Sequence, residues 1–433
     1  MKRKLVVVGA GMASGRVLEH LPKATRDAYE VTLFGAEARG NYNRIMLSPV
    51  LAGEAKYEEI VTHTPAWYAE HNVSCRFGET VTKIDRAAKT VHTRSGEIPY
   101  DKLVIATGSA PFIIPVAGKE LQGVLTFRDL DDVNAMLAVA GTPGMNTVVL
   151  GGGLLGIEAA AGLKTRGMSV TVLHLMGHLM ERQLDPNAGR LLQKKLEDRG
   201  IDVHCRAQTK AILGHKRAEA VLLDNGTIYP ADLVVMATGI RPETRIATDA
   251  GLHVERGIVV DDQMRTSDPD ILAIGECAEH GGICYGLTDP IYAMAGVAAQ
   301  TLAGEKAVFR PLDIGTRLKV SGVNVFSAGD FLGAPGTELV TLNDPGIGIY
   351  KKLVIADGRL VGVVLFGDTG DGLWYLDLIR SGAPIEAIRD DLVFGRALAE
   401  RKIVAEHGKR TPEEAARYVA ELKKSDRYHA DVY

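Results

Sequence analysis

The chain has 433 residues, of which 46% are hydrophobic and 24% charged, a length that exceeds one core of ordinary size and predicts two or three domains. Its 50 basic and 54 acidic residues leave a formal net charge of −4, so no global field draws it to nucleic acid or to an anionic membrane. Glycine stands out at 48 residues, above the usual ~7%. There is no G-X-Y period and the glycines fall between apolar runs, so the excess points to turns set against strands. The four cysteines, Cys75, Cys205, Cys277 and Cys284, form no C-x-x-C. No disulfide framework is expected, and a reducing, cytoplasmic setting is. Lys2, Arg3 and Lys4 imitate the start of a signal peptide, but the apolar run after them ends at Gly9,. The apolar stretch over 147–163 is short, glycine-rich at its start and interrupted by Glu158, so no membrane span is expected.

In chain order, residues 5–8 read as an apolar strand, Gly9-Ala10-Gly11-Met12-Ala13-Ser14-Gly15 as a tight turn, and Val17, Leu18 and Leu21 as one face of a helix,. A second strand over 31–34 ends in Gly35-Ala36-Glu37 and closes a βαβ unit. The pattern recurs with a strand at 147–150, the turn Gly151-Gly152-Gly153-Leu154-Leu155-Gly156, a helix from 157 and a strand at 169–173. Short β-rich stretches at 90–92 with 102–105, and at 220–223 with 233–236, predict inserted meanders. From about residue 311 the character changes. Stretches 317–325, 349–355 and 360–366 read as antiparallel strands with Asp357-Gly358 as a hairpin turn, which predicts a third, α+β domain,. In the charged tail, Thr411-Pro412-Glu413-Glu414 predicts the start of a short helix with Ala415, Tyr418, Val419 and Leu422 on its apolar face,. The expected domains are 1–112 with 246–310, then 113–245, then 311–400, followed by the tail over 401–433.

The first glycine cluster is G-x-G-x-x-S. Gly9 suits a tight turn and Gly11 the close approach of a pyrophosphate to a helix N-terminus, while Ser14 stands where a third glycine is usual. Glu37 follows the second strand, where a carboxylate can accept both ribose hydroxyls. The bland reading is a structural turn, and Glu37 tilts the choice towards a nucleotide. The second cluster is complete, with Gly151, Gly153 and Gly156. The strand after it ends at His174 rather than at a carboxylate, so NADH and NADPH both remain open. Two such sites call for two dinucleotides, a nicotinamide as hydride donor and a flavin as acceptor able to release single electrons.

Three further segments carry a resemblance: Ile105-Ala106-Thr107-Gly108-Ser109, Met236-Ala237-Thr238-Gly239-Ile240-Arg241-Pro242 and Ile271-Leu272-Ala273-Ile274-Gly275-Glu276-Cys277. Together with both glycine turns they resemble the two-dinucleotide, pyridine nucleotide-disulfide oxidoreductase-like FAD reductases. The implied fold class is α/β, with two Rossmann-like FAD and NAD(P) domains and a C-terminal α+β domain. Within that group the chain is most similar to the N-terminal flavoprotein half of the assimilatory NAD(P)H nitrite reductase large subunit. Tyr42-Asn43-Arg44-Ile45-Met46-Leu47-Ser48, Met180-Glu181-Arg182-Gln183-Leu184-Asp185 and Phe366-Gly367-Asp368-Thr369 carry that likeness, which covers about residues 1–400. It implies FAD held by Gly9, Gly11, Ser14, Glu37, Arg44, Val81, Ala106, Thr107, Gly108, Gly275 and Glu276, with Arg44 on the pyrophosphate and Glu276 on the ribityl chain. It implies NAD(P)H held by Gly151, Gly153, Leu155, Gly156, Glu158, His174 and Gly239, with Glu158 beside the nicotinamide and no catalytic residue beyond the flavin.

The departures narrow the chemistry. Residues 38–60 contain no cysteine, which excludes the thiol-based reactions of the disulfide and peroxide reductases, and Pro49 stands where reductases serving Rieske proteins often have lysine. No cysteine follows Cys284, so the resemblance implies that iron–sulfur and sirohaem chemistry sits on a separate protein. Cys277, His280 and Cys284 have loop spacing unlike common zinc sites, and His174 with His178 lies at a strand end rather than on a helix, so no metal site is expected. Trp374, Tyr375 and Leu378 read as core or as a partner-facing patch of the third domain. The reading is an FAD-dependent NAD(P)H oxidoreductase that passes electrons to a separate redox protein, with nitrite as the implied final acceptor. A ferredoxin, rubredoxin or Rieske-type acceptor is the rival, and a non-catalytic NAD(P)H-binding flavoprotein sensor is the non-enzymatic alternative.

Overall fold

The structure, a computed structural model, describes residues 2–140, 142, 144–310, 315–320 and 322–400. The helix expected from Thr411 lies outside the described residues. The chain forms two compact units, one of residues up to 182 with 192–310 and the other of 183–191 with 315–400.

The first unit runs β1 (Arg3–Val8), α1 (Met12–His20), β2 (Tyr29–Gly35), α2 (Leu47–Ala52), β3 (Val73–Phe77), β4 (Lys102–Ile105), β5 (Val124–Thr126), β6 (Asn146–Leu150), α3 (Leu154–Thr165) and β7 (Ser169–His174). It continues through the later turns of α4 (Pro186–Glu197) to β8 (Asp202–Cys205), β9 (Leu233–Met236), β10 (Ile271–Ala273) and α5 (Thr288–Leu302). Two five-stranded sheets result, ordered β10-β4-β1-β2-β3 and β8-β7-β6-β9-β5, and every pairing in both is parallel. Register brings the strand ends level. Val8 pairs with Phe34 and with Ile105, and Leu150 pairs with Leu173 and with Met236, so each glycine turn leaves a central strand at the carboxyl edge, where such sheets bind ligands.

The meanders are present with different members from those expected. Thr90–Thr93 and Ala220–Leu223 each belong to a three-stranded antiparallel sheet, whereas Lys102–Ile105 and Leu233–Met236 lie in the parallel sheets. Their runs of consecutive apolar residues are buried on both faces, as parallel strands require, while a half-exposed meander strand alternates,. Ser109–Pro111 and Ile240–Pro242, which follow the two A-T-G segments, pair with each other antiparallel. The two threonines fasten this crossing reciprocally: Thr107 Oγ1 donates to the Glu243 carbonyl at 2.6 Å and Thr238 Oγ1 to the Phe112 carbonyl at 2.6 Å.

The second unit holds β11 (Thr316–Val320), β12 (Val323–Gly329), β13 (Glu338–Asp344), β14 (Ile349–Ala356), β15 (Arg359–Phe366) and α6 (Gly372–Ser381). Its antiparallel sheet is ordered β11-β12-β15-β14-β13. The stretch read as one strand over 317–325 is two arms of a hairpin, reversed where Gly322 takes φ +79°. Asp357 at φ 49° and Gly358 at φ 68° form the predicted tight turn, with both residues left-handed as such hairpins demand,. Helix α6 lies on Phe326, and Tyr375 is fully buried with its hydroxyl donating to the Leu392 carbonyl at 2.7 Å. That residue is core, and Trp374 and Leu378 are partly buried against the same cluster. The segment 183–191 joins this unit through Asp185, which is 3% exposed. Tyr350 donates to its Oδ2 at 2.7 Å, the Lys352 ammonium lies at 3.8 Å, and its Oδ1 accepts from the Ala188 N–H in the first turn of α4. Among the described residues no helix is long and apolar enough to cross a membrane.

Candidate functional site

The two glycine turns are built alike. Gly9 at φ +108° and Gly151 at φ +116° each press against the carbonyl of an A-T-G alanine; a Cβ added there would lie 2.1 Å from Ala106 O and 2.2 Å from Ala237 O. Only glycine meets both constraints. Gly11 and Gly153, by contrast, have nothing within 4 Å of such a Cβ, so the backbone is bare on the side a phosphate would approach. They are the N-caps of α1 and α3, neither helix has a side-chain cap bond there, and neither carries an acidic residue in its first turn. The free N–H groups and the positive end of each helix therefore face open space, which is the donor set a pyrophosphate needs.

The third position separates the two turns. Gly156 abuts the Gly151 carbonyl, 2.0 Å from where a Cβ would be. Ser14 is fully buried, and its hydroxyl donates to the Gly11 carbonyl at 2.8 Å. The same carbonyl accepts from the Asn41 amide, which also reaches Ser14 Oγ at 3.2 Å, and Tyr68 holds Asn41 in turn. Serine is accommodated because a buried polar cluster is built around it.

Around the first turn the predicted residues converge. Glu37 accepts from the Tyr42 hydroxyl at 2.7 Å and pairs with Arg44, whose guanidinium also reaches the Arg128 carbonyl at 3.2 Å. Glu276, in the turn Gly275–Cys277, accepts from Ser109 Oγ at 2.8 Å and pairs with Arg128 at 2.6 Å. Burial drives the Tyr42 hydroxyl well above the ordinary phenol range, so it stays a donor to Glu37,. Gly108, at φ +70°, would bring a Cβ to 3.4 Å from the Arg128 guanidinium. Ala106 is buried beside it, and Val81 is buried in the core of the same half. Two guanidinium groups, two carboxylates and a bare helix N-terminus suit a diphosphate flanked by polyhydroxylated chains.

At the second turn Leu155 is 38% exposed, and a Cβ at Gly239 would have nothing within 4 Å. His174 differs from expectation. Its ring is buried, Nδ1 accepts the Gly152 N–H at 2.9 Å and Nε2 lies 3.1 Å from Glu181. Both ring nitrogens are engaged, so it supports the turn instead of presenting a free edge to a ribose. Glu158, one turn into α3, accepts from the Ser48 hydroxyl of α2 at 2.5 Å. Burial raises its pKa and the Ser48 bond partly offsets the rise. Arg166 donates to the carbonyls of Leu51 and Val50, so α2 and α3 are fastened at both ends.

Nothing in the sequence marks Asn41, Tyr68, Arg128, Ser48 or Glu181 individually as a site residue, although Ser48 and Glu181 fall inside two of the resembling segments. Ser48–Glu158 and Arg128–Glu276 pair across 110 and 148 residues, and one sequence gives no local signal for such contacts. Cys277 is buried, with its thiol towards the Ile105 and Ile274 carbonyls, and His280 pairs with Asp262. No group of three or more His, Cys, Asp or Glu among the described residues could hold a metal ion.

Two parallel-sheet halves with matching glycine turns and a reciprocal crossing define a two-dinucleotide reductase. The chain belongs to the pyridine nucleotide-disulphide oxidoreductase family, whose model matches residues 3–301; residues 315–383 match the rubredoxin NAD+ reductase C-terminal domain. It is 47% identical over 386 residues to nitrite reductase [NAD(P)H] of Bacillus subtilis, covering 89% of this chain and 48% of that protein. It is 39% identical to the assimilatory nitrate reductase electron transfer subunit of the same organism, covering 90% of this chain and 51% of that one. The chain thus spans about half the length of these curated relatives. Among solved structures, that of putidaredoxin reductase in covalent complex with putidaredoxin superposes with a TM-score of 0.82 at 26% identity, over 93% of this chain and 98% of that one. NADH:rubredoxin oxidoreductase of Clostridium acetobutylicum gives 0.75 at 26% identity, over 90% and 97%. Family membership makes this an oxidoreductase with FAD and NAD(P)H as its cofactors, and the two bare turns fit both groups.

Proposed function

We propose that the chain oxidises NAD(P)H on an FAD and delivers the electrons to a separate iron–sulfur or sirohaem protein of a nitrite-reducing system in the cytoplasm. The observation that carries this reading is the 47% identity running through the C-terminal domain, joined to the absence of any cysteine over 38–60, so that no thiol takes electrons from the flavin. In this reading Gly9, Gly11 and Ser14 would hold FAD at the first turn, Glu37 would take its ribose, Arg44 and Arg128 its diphosphate and Glu276 its ribityl chain, and Val81, Ala106, Thr107, Gly108 and Gly275 would line the cleft. Gly151, Gly153, Leu155 and Gly156 would hold NAD(P)H at the second turn, with Glu158 and Gly239 on the nicotinamide side and His174 holding the turn. The bound pair supplies hydride transfer followed by single-electron release. The protein positions the two ends and shields them from water.

A ferredoxin- or rubredoxin-type acceptor is favoured by one observation: the reductases of that kind are covered over 98% and 97% of their own length. Anaerobic addition of NADH or NADPH to the yellow protein tests both readings. The flavin absorbance should bleach within seconds, and re-oxidation should be faster with a sirohaem iron–sulfur protein than with ferredoxin or rubredoxin. A stable complex with no bleaching would leave a nucleotide-binding flavoprotein without reductase activity.

A further inference from the structure

With His174 committed to the turn, some other residue must face the adenosine ribose of the second site, and the backbone beyond β8 supplies one. Ala207 donates its N–H to the His174 carbonyl at 2.9 Å and Arg206 donates to the Met176 carbonyl at 2.9 Å, so this segment runs alongside the loop that leaves β7. Arg206 sits at φ +58°. Its guanidinium lies along Gly177, with Nε 3.6 Å and Nη2 3.8 Å from the position a Cβ on that glycine would take. The residue is exposed, and the ion pairs of the described residues do not include it. The carboxylate of the same loop, Glu181, is engaged by His174 at 3.1 Å. Leu175 and Met176, 60% and 47% exposed, form an apolar shelf beside it, of the kind an adenine ring covers.

We infer that Arg206 is a specificity-determining residue of the second nucleotide site, a guanidinium that takes the 2′-phosphate of NADPH and makes NADPH the preferred nucleotide. A ribose with two free hydroxyls is recognised by an available carboxylate at the strand end, and a 2′-phosphate by a nearby arginine. Here the strand ends at His174 instead of a carboxylate, and Arg206 takes part in none of the ion pairs of the described residues. The planar fork can grip two phosphate oxygens at once, which a lysine cannot reproduce. The inference rests on reading Gly151–Gly156 as a nucleotide turn.

The test uses the full-length, FAD-loaded protein and the oxidised nucleotides NADP+ and NAD+, so that binding is measured by calorimetry without turnover. Wild type should bind NADP+ about tenfold or more tighter than NAD+, a gap that Arg206→Gln should close and Arg206→Lys only partly retain. NAD+ affinity should change less than about twofold in either variant, since a bare ribose offers the guanidinium no anion. Adenosine 2′,5′-bisphosphate should bind wild type and lose affinity in Arg206→Gln. Equal or tighter binding of NAD+ by wild type, or an unchanged ratio in Arg206→Gln, overturns the inference while leaving the nucleotide site standing. Failure of both nucleotides to bind overturns the site and the inference together.

Discussion

The first glycine turn is stabilised by a network of side-chain hydrogen bonds, the second by close backbone contact and one histidine ring. At the first, Ser14, Asn41 and Tyr68 form a buried hydrogen-bonded cluster behind the Gly11 carbonyl. At the second, Gly156 closes directly on Gly151 and the His174 ring accepts the Gly152 N–H. Both solutions leave the same surface bare. Phosphate binding constrains only the open face of such a turn, and its rear can be built from backbone contact or from side-chain bonds.

Exchanging the shared feature should produce the largest effects. Gly9→Val places side-chain atoms into the Ala106 carbonyl and should yield colourless protein, whereas Gly151→Val should stay yellow but lose nucleotide affinity by at least about a hundredfold,. Absorbance after gel filtration and a nucleotide titration separate the two. A yellow Gly9→Val would break the comparison at its root.

The rear supports come next. Asn41→Ala removes a buried donor from two partners and should lower unfolding stability by about 1–3 kcal/mol while weakening flavin retention,. His174→Phe should cost about 1–2 kcal/mol through the unpaired Gly152 N–H and weaken nucleotide binding with flavin content unchanged,. Denaturant unfolding with and without added FAD measures both.

A subtler difference lies where the halves meet. The Ser48 hydroxyl favours the ionised form of Glu158 against the opposing effect of burial. Ser48→Ala should therefore move any Glu158-dependent inflection in the pH profile of flavin reduction to higher pH, and Glu158→Gln should remove that inflection. A profile identical in all three proteins would take Glu158 away from the reacting ends.

The smallest expected effect belongs to the first half alone. Glu19 is held at about 2, below its ordinary 4.5, chiefly by the His63 ring, whose Nε2 lies 3.0 Å from the carboxylate, with burial opposing. A carboxyl depressed on folding stabilises the protein fully above the ordinary value and loses that contribution as pH falls towards the depressed one. The stability gap between wild type and His63→Gln should narrow as pH drops from 4.5 towards 2. A constant gap would show that His63 acts through its packing against Trp67.

Much of this was legible in the order of residues, because a glycine forced by backbone geometry has no substitute. Gly9, Gly151 and Gly156 are of that kind, Gly11 and Gly153 follow from the spacing between them, and Asp357-Gly358 likewise announces its hairpin. Strand type was harder. Residues 102–105 and 233–236 stand beside meander strands in the chain, and only their unbroken apolar character marks them as parallel. Least legible were partners distant in sequence. Nothing near Ser14 announces Asn41, and His174 looks from its strand-end position like a ribose contact until its burial is seen. The two A-T-G threonines carry part of the family likeness, and their reciprocal bonds across the crossing give that likeness a physical reason.

Asp185 sets a limit on how the protein can be divided. It lies between β7 and β8 in chain order, yet its carboxylate is satisfied by Tyr350 and Lys352 of β14. A truncation after residue 310 would leave that acid without its phenol and ammonium, along with the apolar surface around it. Anyone wishing to trim the chain to its nucleotide-binding halves, or to graft another C-terminal module onto them, must redesign residues 183–191 as well.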